Sequence, residues 1–331
     1  MSVRVTVIHP PCAIEGGRIS IQGTGFLVDG PSVPEVRVGG EPARLVYASP
    51  TELSAIVPAG LPGGRASVRV ASMPDDAAAS VQVAAPFANG LHQVDNPIFD
   101  RDDNLYVTYS GTRGQQVPVS IFRVRPNGTR EPFSSGIVNP TSMAIDSQNR
   151  LYVSSRFEGT VYRVSPDGAT EPFARDLGVA CGLAFSADGT LFVGDRSGTI
   201  FKVDAAGRTA TFASLPASVA AFHLAFGRDG ALYVTGPTLS SYDELYRIAP
   251  DGAVTTRSAR FGRPQGLAFD PAGALFAVEA LAGSSGLYRV PASGAPELVL
   301  SGPGLVGVAF DAAGTMVVAS NDTAYRLTRS G

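Results

Sequence analysis

The feature that most limits how this chain can fold is a phrase that keeps returning. "GLAFSADGTLFVGDRSGTIFKVDAAGRTATFA" starts at Gly182, and variants of it start at Asn96, Ser142, His223, Gly266 and Gly307. The six starts are separated by 46, 40, 41, 43 and 41 residues. Each copy holds four short apolar bursts rich in Val, Ile, Phe and Tyr, too short for helices and suited to packed strands. Between the bursts recur D-x-x-G-x-L and P-D-G, as in "DPAGAL" and "SPDGAT". Asp there bonds the nearby backbone and Gly supplies positive φ, so these are turns. A four-strand unit repeated at this period predicts a β-propeller, with each unit one blade.

The last copy stops at "AYRLTRSG", after its third strand. The missing outer strand is expected upstream, in "SVQVAAPFANGLHQ" (Ser80 to Gln93), where Phe87 stands as Phe133 and Phe173 stand in other copies. Residues 80–90 should therefore pair with Ala324–Thr328. That would close a six-bladed ring and remove two open sheet edges. Phe99, Ile145, Phe185, Phe226, Phe269 and Phe310 share one position in the first strands and are expected to be buried between blades.

The preceding residues do not share the repeat. "RVTVI", "RISIQGTGF", "EVRVGG", "ARLVYAS", "ELSAIVP" and "RASVRVAS" alternate like strands of a small sandwich. The expected division is an Ig-like β-sandwich over 1–79 and a propeller over 80–331, with "MPDDAAAS" (Met73 to Ser80) as hinge. The whole is all-β.

Charge and composition exclude several roles. The formal net charge is −3 and no basic run is present, so nucleic acid is not an expected partner. Lys202 is the lone lysine among 26 basic residues, a bias typical of GC-rich bacterial genomes. Cys12 and Cys181 read as free thiols. "MSVRVTVIHPPC" lacks the apolar core of a signal peptide, and no membrane span is evident. As written the chain reads as cytoplasmic, or as exported if a leader was trimmed. No G-x-S-x-G, H-E-x-x-H or phosphate loop is present.

Both parts resemble known families. "GGRISIQGTGF" and "VRVGGEPARLVYASPTELSAIVPAGLPGGRASVRV" resemble the IPT/TIG immunoglobulin-like domain, whose members act as spacer, docking or interaction modules. In it, Gly23 and Gly25 would permit a bend and Phe26 would fill the core. The repeat text "GLAFD-x-x-G-x-LYV…YR(V/I)-x-P-D-G" resembles NHL-repeat propellers and the senescence-marker (SMP-30-like)/gluconolactonase superfamily. That resemblance implies a calcium ion bound by Glu, Asn and Asp side chains just before the first strands, as suits a hard cation. The matching column here reads Asp95, Thr141, Cys181, Phe222, Gln265 and Val306. Asp95 stands where the family's first carboxylate would stand and Thr141 and Gln265 are neutral candidates, so no cofactor is predicted, with calcium as the alternative.

The next column is Asn96, Ser142, Gly182, His223, Gly266 and Gly307, where His223 interrupts small residues. A histidine there can act as a base, a ligand or a packed core group. At the ends of the second strands, Arg156, Asp195, Arg196 and Glu279 are expected to form a polar rim. His9 and His92 read as structural. The candidate binding residues are thus Asp95, Asn96, Thr141, Arg156, Asp195, His223, Gln265 and Glu279. The leading expectation is a noncatalytic propeller that binds a small molecule or protein on this face, with the Ig-like domain as adaptor. The alternatives are a divergent metal-dependent lactonase using Asp95, His223 and Gln265, and a purely structural module.

Overall fold

The computed structural model describes residues 2–29, 32–74 and 79–327, and among them there is no helix. Part of the expected hinge, residues 75–78, lies outside the described residues, as does Thr328.

Five separate four-stranded antiparallel sheets are present. Unit 1 comprises Ile98–Phe99, Leu105–Thr108, Ile121–Val124 and Arg130–Ser134, paired in that order. Unit 2 comprises Pro140–Ile145, Leu151–Ser155, Thr160–Val164 and Thr170–Ala174. Unit 3 comprises Ala180–Phe185, Leu191–Asp195, Thr199–Val203 and Thr209–Ser214. Unit 4 comprises His223–Phe226, Leu232–Thr235, Asp243–Ile248 and Val254–Phe261. In unit 6, Leu305–Phe310, Met316–Ser320 and Thr323–Leu327 are joined by Ala85–Asn89 as the outer strand.

The repeat at Gly266 departs from the expected set of separate blades. Its strands Pro264–Phe269, Leu275–Glu279, Gly286–Val290 and Glu297–Ser301 (unit 5) pair in the same order, but they form one end of a twelve-stranded sheet. The physical reason is a short N-terminal strand, Cys12–Ala13, which pairs in parallel with Leu300 and Ser301 on one side and with Gln82 and Val83 on the other. The outer edge of unit 5 is thereby covered, which deals with an exposed sheet edge by another route. Ile14, 1% exposed, buries into the core between units 5 and 6, and Glu15 accepts a hydrogen bond from the Tyr325 hydroxyl at 3.1 Å.

The segment 80–90 is divided. Ala85–Asn89 pairs antiparallel with the third strand of unit 6, from Thr323↔Asn89 to Arg326↔Ala85. Ser80–Val83 instead pairs with Gly64–Ser67 of the N-terminal part. The remaining N-terminal strands, Arg4–His9, Arg18–Thr24, Val36–Val38, Glu41–Ala48, Glu52–Ile56 and Gly64–Val70, enclose an apolar core of Ile19, Ile21, Val36, Val38, Leu53 and Val68. Phe26 is 3% exposed in that core, beside Gly25 at φ +78°.

The repeated turns explain the repeated sequence. Between the first and second strands, the Asp100, Asp146, Asp270 and Asp311 carboxylates accept backbone N–H bonds from residues two to four positions on. In the P-D-G turn of unit 2, Gly168 sits at φ +87° and its carbonyl accepts a hydrogen bond from the Ser134 hydroxyl of unit 1. A Cβ there would collide with the Phe133 carbonyl, so both conformation and close approach require glycine.

The first strands lie innermost and side by side, that of unit 1 against those of units 2 and 6. Small polar residues tie them together. The Asn96 amide accepts from Val308 N–H (2.9 Å) and donates to the Leu267 carbonyl (2.8 Å), and Ser142 Oγ accepts from Leu183 N–H (3.0 Å). The equivalent first-strand positions Phe99, Ile145, Phe185, Phe226, Phe269 and Phe310 do pack between units. Phe185, for example, meets Tyr152 edge to face at 5.0 Å, and Phe226 meets Phe192 at 5.0 Å. They are only partly buried, contrary to the sequence expectation. The first strands end there around an axial funnel of about 320 Å³, whose walls these six residues help to form.

Candidate functional site

The face where the first strands start and the second strands end is the one singled out by sequence. Asp95 and His223 meet on it. They come from units 1 and 4, 128 residues apart, and the His223 Nδ1···Asp95 Oδ1 distance is 2.5 Å. The His223 side chain is 0% and that of Asp95 3% exposed. Facing an ionised carboxylate, which can only accept, Nδ1 would be the donor of this bond. Asp95 Oδ1 also accepts the Asn96 N–H at 2.7 Å, and His223 Nε2 has no partner among the described residues. Asp95 also contributes to the wall of the axial funnel, whose lining does not include His223.

The other residues of the calcium-type column do not complete a cation site. The Thr141 hydroxyl donates to the Asn139 carbonyl at 3.1 Å. Cys181 is buried, its Sγ donates to the Val179 carbonyl at 3.2 Å, and burial pushes the thiol up to about 12. Gln265 is half-buried and its backbone carbonyl accepts from Thr235 Oγ1 at 2.6 Å. Phe222 and Val306 offer no side-chain donor atom. Among the described residues, no three His, Cys, Asp or Glu side chains are grouped so as to hold a metal ion. One carboxylate already bonded to an imidazole, with a thiol and two hydrocarbons, does not suit a cation that takes six to eight oxygens. The residues present therefore do not fit the family's calcium.

The acidic residues of the expected rim are turned inward. Asp195, 6% exposed, accepts Val179 N–H at 2.7 Å and the Ser197 hydroxyl. Glu279, 3% exposed, accepts three backbone N–H bonds, from Gly262 (2.5 Å), Arg263 (2.8 Å) and Leu281 (2.7 Å). Both carboxylates anchor the loops that precede the first strands. Asn96 and Ser142 likewise serve the joints between units.

The arginines behave differently. Arg156 and Arg196 line a cavity of about 370 Å³ on this face, together with Arg113, Asn139, Phe157, Gly178, Val179 and Ala220. Arg113 and Asn139 were not singled out by sequence. The available signals were the long insertion "SGTRGQQVPVS" that carries Arg113, and the Asn-Pro pair of "VNPT". Asn139 is 0% exposed at φ +48°. Its amide donates to the Ser110 and Thr112 carbonyls (2.6 and 2.8 Å) and accepts Gly114 N–H (2.7 Å), so it holds the Arg113 loop on both sides. His92, expected to be structural, lies close enough to Arg156 that burial and then that positive charge hold its imidazole below the ordinary histidine value. His9 is exposed on the strand Arg4–His9. Cys12 and Cys181 are both free thiols.

Comparison with known proteins supports the two-part reading of the fold. Residues 4–82 match the IPT/TIG domain family. No curated protein matches the chain in a sequence search. Among solved structures, the chain is similar to an auxiliary nutrient binding protein from Bacteroides thetaiotaomicron, at 13% identity and TM-score 0.57, over 98% of this chain and 97% of that one. It is similar to a gluconolactonase from Xanthomonas campestris at 18% identity and TM-score 0.60, over 73% and 88% of the two chains. A virginiamycin B lyase from Staphylococcus aureus is similar at 16% identity and TM-score 0.51, over 70% and 80%. At these identities the likeness is one of fold: an all-β, propeller-like arrangement preceded by an IPT/TIG domain.

Proposed function

We propose that this chain is a noncatalytic binding protein. In this reading the six units form one closed ring, Ala85–Asn89 completing unit 6, and the Ig-like domain ends at Ala84. The ligand is a small molecule or peptide bound on the face where the first strands start, and no metal cofactor takes part. The observation that carries this is the cavity of about 370 Å³ at that face, lined by Arg156 and Arg196, a size typical of small-molecule sites. The full-length similarity to a nutrient-binding protein supports it. The test is a calorimetric screen of sugars, lactones, organic acids and short peptides. Saturable binding without turnover is expected, lost when Ala220→Trp fills the cavity. Full binding in that variant would refute the site.

A second reading is a lactonase-like hydrolase. It rests on the His223–Asp95 pair, in which an imidazole oriented by a carboxylate keeps Nε2 without a partner, the arrangement of a general base. The likeness to a gluconolactonase is consistent with it. Lactone hydrolysis that disappears in His223→Ala would favour this reading over binding alone.

A further inference from the structure

We propose that the cavity on this face recognises a small organic anion bearing a phosphate group or two or more carboxylates. The inference rests on the binding reading above and names the chemistry of its ligand. Three arginines, Arg113, Arg156 and Arg196, border one cavity, and among the described residues no Asp or Glu lines it. The chain as a whole carries a net charge of −3, so this concentration of positive charge is local and runs against the average.

Several arginines elsewhere among the repeat units are spent on carboxylates. Arg123 pairs with Glu131, Arg163 with Glu171, Arg208 with Asp204, Arg247 with Asp229 and Arg289 with Glu297. In the cavity, Arg156 has only a 3.4 Å contact from Nη2 to Ser110 Oγ. Among the described residues the Arg113 and Arg196 side chains take part in no hydrogen bond or ion pair. The buried carboxylate of Asp195, beside Arg196 in sequence, is occupied by Val179 N–H and the Ser197 hydroxyl. Three like charges sharing a concave surface repel one another. An oxyanion in the cavity relieves that repulsion and matches the planar donor fork of each guanidinium.

The bases of these side chains are held in place. Asn139 fixes the Arg113 loop through three hydrogen bonds, and its carbonyl accepts Arg156 N–H at 3.4 Å. Arg196 N–H donates to the Val179 carbonyl at 3.1 Å, and the Arg196 carbonyl accepts Ser218 N–H at 3.0 Å. The positions are set before a ligand arrives, so less ordering entropy opposes binding. Phe157, 53% exposed, adds an apolar wall beside the charges. It suits the carbon skeleton of an organic anion better than bare phosphate.

The test is titration calorimetry of the full chain with citrate, glucose 6-phosphate, inorganic phosphate and neutral glucose at matched ionic strength. Citrate or glucose 6-phosphate should bind saturably and more tightly than inorganic phosphate, and glucose should not bind. Whether the tricarboxylate or the phosphate ester binds better distinguishes the two anion types. Each of Arg113→Ala, Arg156→Ala and Arg196→Ala should weaken binding about tenfold or more, and Arg156→Lys should restore part of it. Arg228→Ala, in the turn between the first and second strands of unit 4, should change nothing. The proposal is overturned if neither organic anion binds at about 10 mM, a ceiling well above ordinary ligand affinities. It is also overturned if the arginine variants bind as the parent does. A neutral ligand whose binding is lost in Ala220→Trp but kept in the arginine variants would overturn the anion assignment alone. Failure of every ligand, charged or neutral, would remove the binding reading as well.

Discussion

Removing one half of the Asp95–His223 pair should destabilise the propeller-like part more than any single surface change. In Asp95→Ala, the buried His223 Nδ1 and the part-buried Asn96 N–H lose the oxygen that faces them at 2.5 and 2.7 Å. Each unsatisfied buried donor costs about 1–3 kcal/mol. The loss is therefore expected at about 2–6 kcal/mol, nearer the lower end because the Asn96 N–H is only part-buried. His223→Ala strands the carboxylate with one N–H partner and leaves a hole where a fully buried ring stood. The double variant Asp95→Ala, His223→Ala removes both partners, so its loss should fall well short of the sum of the singles. The measurement is urea unfolding followed by near-ultraviolet circular dichroism of the ten tyrosines, since the chain has no tryptophan. Single variants within about 1 kcal/mol of the parent, or strictly additive losses, would refute this account of the pair.

Two further outcomes are expected. Asp146 accepts N–H bonds from Gln148 and Arg150 and the Arg150 Nε–H at 2.6 Å. Although burial works in the opposite direction, these bonds and the guanidinium charge hold its carboxyl below the usual value. A depressed carboxyl contributes stability above its unfolded pKa of about 4, and that stability is lost as pH falls through the lower folded value. Asp146→Asn should therefore be less stable than the parent at pH 7, with the gap closing as the pH drops below about 4, as read by thermal melts across that range. Deleting residues 1–90 removes the strand paired with Thr323–Arg326. It should lower the melting temperature far more than deleting 1–72, and equal losses in the two truncations would contradict the role given to Ala85–Asn89.

What was legible in the sequence is what repeats. The unit period, the turn aspartates and the missing outer strand are local patterns copied several times, and copies reinforce a reading. The junction was harder. Cys12–Ala13 is too short for a strand signal and acquires its partners, Leu300 and Gln82, only through the fold. The partial exposure of Phe99 and its equivalents was missed because alternation reports which side a residue faces, while exposure also depends on how neighbouring strand ends diverge. Asp95 and His223 were both singled out, yet their contact spans 128 residues and depends on how the units are arranged in space. Asn139 went unnoticed because one asparagine before a proline reads as an ordinary turn, and its three loop-fixing bonds are visible only in three dimensions.

The strand Cys12–Ala13 has a consequence for whatever binds both parts of the molecule. It is laddered to unit 5 on one edge and to Ser80–Val83 on the other, and Ile14 is sunk between units 5 and 6. Swinging the Ig-like domain would break backbone hydrogen bonds and expose Ile14, so the two parts keep one bearing. A partner that grips the Ig-like domain while reaching the arginine cavity then has no swivel to freeze. Its second contact forms at an effective concentration set by geometry rather than by a flexible linker. Such a mount favours partners of one span and excludes those slightly longer or shorter.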